Sequence, residues 1–167
     1  MQRFLTLLLA ICFCAHAASD LRAADENVQT FAALKGWWVG FGRLGFKNGE
    51  TENVKCRATY HLEKTDGTEM RQVLRCASAS GAVEIESSVK RDGNLLSGTW
   101  SEKKHELSGQ VAGQFVPDGF RVNVSGRHLT AEMTINMHAD KHIVEIRFFE
   151  SSLFALSMMF SRNNTEP

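Results

Sequence analysis

Downstream of residue 17 the chain carries five histidines, His61, His105, His128, His138 and His142, and only the last two lie close together. They flank Ala139-Asp140-Lys141, and two imidazoles with a carboxylate could hold a transition metal. Lys141 sits among them, however, and spacing across a tight hairpin does not make side chains converge, so both read as exposed turn residues. Nucleophilic chemistry would show as a serine on a Gly-x-Ser-x-Gly elbow, a free thiol, or carboxylates on the inward face of strands. No such constellation emerges: Glu84, Glu86, Glu132 and Glu145 fall on the outward face of their segments. Gly40-Phe41-Gly42-Arg43-Leu44-Gly45 has the glycine spacing of a dinucleotide fingerprint, but no helix follows to receive a pyrophosphate. These glycines read instead as relief of crowding in a coiled strand. Arg57, Arg71 and Arg75 project outward from neighbouring segments as a small basic patch blurred by Lys55 and Glu69. The expectation is a non-enzymatic chain with no cofactor and no metal.

The 167 residues contain 19 Lys+Arg against 19 Asp+Glu and are 43% hydrophobic, so the chain can bury a core and has no global field for nucleic acid. Its apolar runs fall short of the roughly 20 residues of a spanning helix, and no repeat period recurs. Residues 1–17 read as a secretory signal peptide: Arg3, an apolar stretch from Phe4 to Cys14, and the small-x-small end Ala15-His16-Ala17. Cys12 and Cys14 follow bulky residues, which argues against lipid anchoring. Export to a periplasm or the exterior follows, with Cys56 and Cys76 as the remaining cysteines of the mature chain.

Residues 18–35 have helical periodicity, with Val28, Phe31, Ala32 and Leu34 on one side, and predict a short amphipathic helix. From residue 36 the period becomes two. Turn pairs Asn48-Gly49, Asp66-Gly67, Ser80-Gly81, Asp92-Gly93 and Asp118-Gly119 divide an antiparallel up-and-down meander of about eight to ten strands, closed or nearly closed to protect its edges. This all-β barrel spans 36–162 and leaves 163–167 as a flexible tail. If Gly67 takes the positive φ of the second hairpin, Leu62 faces Met70, Tyr60 faces Gln72, Ala58 faces Leu74 and Cys56 faces Cys76. Directly opposed cysteines on neighbouring strands predict a disulfide in an oxidising compartment. Alternation places Val83, Ile85, Val89, Leu96, Trp100, Leu107, Val111, Phe115, Phe120 and Val122 inward, followed by Met133, Ile135, Val144, Ile146, Phe154, Met158 and Phe160. Ala58, Ser87, Gly98, Gly109 and Gly113 fall among them, and small inward residues mean either a cavity or barrel corners.

Gly36-Trp37-Trp38 places a Gly-x-Trp where the first strand begins, between a short helix and a meander. In this the chain resembles the lipocalin-like, or calycin, barrels, although ten strands depart from the usual eight. The resemblance implies a small hydrophobic ligand inside the barrel, with Trp38 closing one end. The inward positions make Trp38, Tyr60, Gln72, Trp100, Phe115 and Met133 the candidate lining residues, Tyr60 and Gln72 able to orient a polar ligand end. The competing expectation is a solid barrel acting as an interaction or inhibitor module for an envelope protein, as a monomer or weak dimer. Outward Val73, Leu95, Phe149 and Met159 motivate it.

Overall fold

The computed structural model describes residues 31–164; the predicted signal peptide, most of the segment predicted as a helix and the end of the predicted tail lie outside them. A short 3-10 turn, Phe31–Leu34, is what remains of that segment among the described residues. Ten strands follow: β1 (Gly36–Phe46), β2 (Thr51–Leu62), β3 (Glu69–Ser78), β4 (Gly81–Asp92), β5 (Leu95–Glu102), β6 (Leu107–Val116), β7 (Gly119–Gly126), β8 (Leu129–His138), β9 (Lys141–Phe148) and β10 (Leu153–Asn163). Each pairs antiparallel with its sequence neighbour, and β1 pairs with β10 to close the barrel. Among the described residues no helix is long and apolar enough to cross a membrane.

The β2–β3 register has the predicted order: Leu62↔Met70, Tyr60↔Gln72, Ala58↔Leu74 and Cys56↔Cys76. Gly67 makes the turn with φ of 71°, a conformation open to glycine because it lacks Cβ. Cys56 and Cys76 are disulfide-bonded across 4.1 Å of Cα separation. The inward glycines are corners. A Cβ on Gly40 would lie 2.6 Å from the Phe160 ring, and one on Gly98 or Gly113 would strike the backbone carbonyl of the neighbouring strand. They allow strands to coil tightly, so these small inward residues are sites of close strand approach rather than of a cavity.

Strand number decides how the interior can be filled. Eight strands give a lumen that side chains just fill, and diameter grows with strand count, so a ten-stranded barrel needs large rings to close. One end has them. Phe31, Leu34, Trp38, Tyr60, Phe115, Phe120, His142 and Phe160 are all buried where the 3-10 turn plugs the barrel beside the starts of β1, β3 and β9. Phe31 reaches Phe115 and Phe120 at ring separations of 5.4 and 6.1 Å. At the other end the inward positions are aliphatic: Leu44, Leu74, Ile85, Val124, Met133, Ile146 and Leu156 remain half-exposed although they point inward. Two predicted core residues depart further. Val83 and Phe154 share the inward parity but are exposed, because Val83 lies beyond the last β4–β5 pair and Phe154 beyond the last β9–β10 pair.

Candidate functional site

The closed end contains a chain of polar groups. Ser87 Oγ donates to Gln72 Oε1 at 2.9 Å, and Gln72 Nε2 donates to Tyr60 Oη at 3.3 Å. Tyr60 Oη lies 3.2 Å from His142 Nε2. With Tyr60 already accepting from Gln72, its single proton is assigned to Nε2, which leaves the imidazole proton on Nδ1. That atom is buried without a hydrogen-bond partner among the described residues. The ring stacks on Phe160 with centroids 4.7 Å apart and meets the Trp38 edge at 4.5 Å. Burial, reinforced by the charge of Arg162, lowers the His142 pKa to about 4, so the ring is neutral at pH 7. Burial also raises the Tyr60 phenol above its ordinary value, keeping it protonated. The Trp38 indole donates to the Leu34 carbonyl at 2.7 Å, and Arg162 lies 4.3 Å above the Trp38 ring while donating to the Lys35 and Ala33 carbonyls. Trp38 is therefore held at its indole N–H by Leu34 and over one ring face by Arg162, both tied to the 3-10 turn.

This corrects the reading of His142 as an exposed turn residue, since its exposure is 0%. The hairpin turn is only Ala139-Asp140, because His138 pairs with Lys141; His142 is thus the first inward position of β9, in phase with Val144 and Ile146. His138 has the opposite parity and is exposed, so the two imidazoles do not converge. Among the described residues no three His, Cys, Asp or Glu side chains are grouped to hold a metal.

The open end has a carboxylate that sequence reasoning missed. Glu102 is 3% exposed, on the inward parity of Leu96, Gly98 and Trp100. Its carboxylate accepts the backbone N–H of His105 at 2.7 Å and of Lys104 at 3.1 Å, with His105 Nδ1 at 2.8 Å. Burial works to raise the Glu102 pKa, but the hydrogen bonds from His105 and Lys104 prevail and hold it below the ordinary range. It organises the β5–β6 turn. The signal was available, since Glu102 follows Trp100 by two residues.

The six candidate lining residues separate by height. Trp38, Tyr60 and Phe115 belong to the packed end, and Gln72 links Tyr60 to Ser87. Trp100 stands in the wall, its indole donating to the Ser125 carbonyl at 3.0 Å and its ring against Gly126. Met133 is half-exposed in the open half. Outside, a depression of about 790 Å³ lies over β2–β5, lined by the disulfide, Val83 and several cations. Of the outward apolar residues, Leu95, Phe149 and Met159 are exposed and Val73 is half-buried. Phe41, which alternation had not singled out, is 59% exposed beside Met159 at 53%.

No protein-family model matches this sequence, and no curated protein matches it. Similarity appears in the fold. The crystal structure of Rv2717c from M. tuberculosis superposes with a TM-score of 0.62 at 10% identity, covering 80% of this chain and 95% of that one. The S-type phycobiliprotein lyase CPES from Guillardia theta gives 0.59 at 11% identity, covering 81% and 92%. The fold is that of the lipocalin-like β-barrels, with ten strands.

Proposed function

We propose that the protein is an exported barrel that binds or carries a small hydrophobic molecule, such as a fatty acid or lipid, in its open half. The observation that carries this reading is the set of inward aliphatic side chains, Leu44, Leu74, Ile85, Met133, Ile146 and Leu156, that stay half-exposed at the margin of the core in a barrel of ten strands. Trp100 and Met133 line the chamber, Trp38 and Phe115 close its base, and Tyr60 with Gln72 offers the polar group that orients a ligand end. The Cys56–Cys76 disulfide supports an oxidising compartment, as the signal-like residues 1–17 do. The lipocalin-like fold supports ligand binding by analogy of architecture alone.

Native mass spectrometry of the oxidised protein, purified gently from its own host, tests this directly, followed by organic extraction of any adduct. A stoichiometric mass lost on denaturation is the expected result. Trp100→Ala and Gln72→Leu are expected to weaken binding more than folding; unchanged affinity in both variants would remove those residues from the site.

A second reading rests on the outer surface. Phe41 and Met159 are cross-strand neighbours and Met159 pairs with Ile143, which makes an apolar stripe across β1, β10 and β9. Such a stripe supports an interaction module. Size-exclusion mass and cross-linking separate the readings: a strict monomer that captures no partner counts against the module.

A further inference from the structure

The rim of the open end is interrupted between β4 and β5. Their last pair is Ile85↔Glu102, while β4 begins at Gly81, so residues 81–84 extend past the β5–β6 turn with no strand beside them on that side. On the β2 side the same hairpin is tied down, because Glu52 accepts the backbone N–H of Ser80 at 3.0 Å and also bonds the Ser80 hydroxyl. The result is a notch with one fixed wall. The 790 Å³ depression occupies it, within the roughly 300–1,000 Å³ of small-molecule pockets. Its lining comes from both faces of the sheet: outward Lys55, Arg57, Arg75 and Glu84, and inward Cys76, Val83 and Glu102. The lining thus wraps the sheet end from outward to inward residues, and the next inward positions along β3 and β4, Leu74 and Ile85, are half-exposed.

The notch is chemically two-sided. Its apolar part is the disulfide with Ala77, Ala82 and Val83, and its charged part has five cations, Lys55, Arg57, Arg75, Lys103 and Lys104, against Glu84 and Glu102. Both carboxylates are occupied. Glu84 is held by Arg75 at 2.8 Å, and Glu102 accepts the N–H groups of the β5–β6 turn. Lys103 is paired with Glu86 at 2.6 Å and Lys55 lies 5.4 Å from the Phe41 ring. Among the described residues, the Arg57 guanidinium and the Lys104 ammonium have no carboxylate partner within ion-pair distance.

We propose that this notch is the portal and anion clamp for a single-chain amphiphile: Arg57 and Lys104 hold its anionic head at the rim while its apolar chain passes Val83 and the disulfide toward Ile85 and Leu74. This rests on the hollow-half reading and adds a charge requirement at the rim, at the opposite end of the barrel from the neutral polar pair Tyr60 and Gln72. Uncharged chains enter the same chamber with lower affinity.

Isothermal titration of the oxidised protein with decanoate and with 1-decanol, repeated on Arg57→Gln/Lys104→Gln, tests it. The wild type is expected to prefer decanoate by about fivefold, the scale of one or two partly exposed ion pairs, with the preference shrinking as salt is added. The double variant is expected to bind both ligands equally, and an unchanged 1-decanol affinity shows that it is folded. Equal binding by the wild type overturns the clamp and leaves the hollow barrel standing, as does a preference that survives in the variant. Binding of neither ligand overturns the clamp and the hollow half together.

Discussion

At the closed end of the barrel the inward positions carry rings, Trp38, Tyr60, Phe115, Phe120, His142 and Phe160, and the 3-10 turn adds Phe31 as a plug. Toward the open end the inward positions are mostly Leu, Ile, Val and Met, several of them half-exposed, with Val54, Cys56, Trp100 and Ala131 buried among them. Hydrogen bonding follows the same division. The plug satisfies Trp38 through Leu34 and carries a buried relay from Ser87 to His142, whereas the rim carries solvated ion pairs such as Arg75–Glu84 and Lys103–Glu86. The two ends thus differ in the size of the side chains they turn inward and in how fully these are covered.

Truncating a ring at the packed end breaks this division most severely. Trp38→Ala is expected to cost about 3–5 kcal/mol by chemical denaturation, since it removes a buried ring and the Leu34 bond together. Reducing the disulfide, or Cys56→Ser with Cys76→Ser, is expected to cost roughly 3 kcal/mol by releasing the 20-residue separation it closes, read as a lower urea midpoint with a somewhat steeper slope as the unfolded chain expands. His142 gives the next effect. Its pKa is depressed to about 4 from 6.5, so the folded state binds fewer protons than the unfolded chain between these values; stability is present above pH 6.5 and lost as pH falls toward 4, by up to about 3 kcal/mol. Denaturation of His142→Phe at pH 7 and pH 5 should show a shallower loss than wild type, and parallel losses would show that this ring does not drive it. The smallest effect belongs to the open end. Leu156→Ala is expected to cost less than about 2 kcal/mol, below the usual range for a fully buried leucine, because the side chain is only partly buried at the margin of the core. A cost equal to that of Trp38→Ala would show the two ends to be packed alike.

Much of this fold was legible in the chain itself. Ten alternating segments, the glycines at their turns and the β2–β3 register that opposes Cys56 to Cys76 all follow from a period of two, which is local. The same rule also contained His142 and Glu102. Extending the alternation of Val144 and Ile146 back by one step makes His142 inward, and extending that of Leu96 and Trp100 forward by one step does the same for Glu102. Phe41 escaped because a glycine-rich segment drew attention to its backbone and away from its outward ring.

What alternation cannot supply is height. Parity states that Trp38, Trp100, Phe115 and Met133 all point inward, but which of them meet depends on the stagger of ten strands around a closed circuit, a property of no single segment. The sequence by itself determined the strands, their faces, the disulfide and the inward set. Only the tertiary structure decided that the rings gather at one end and the aliphatic residues at the other, and that β4 runs past β5 to open a cation-lined notch, because those outcomes depend on registers accumulated around the whole barrel.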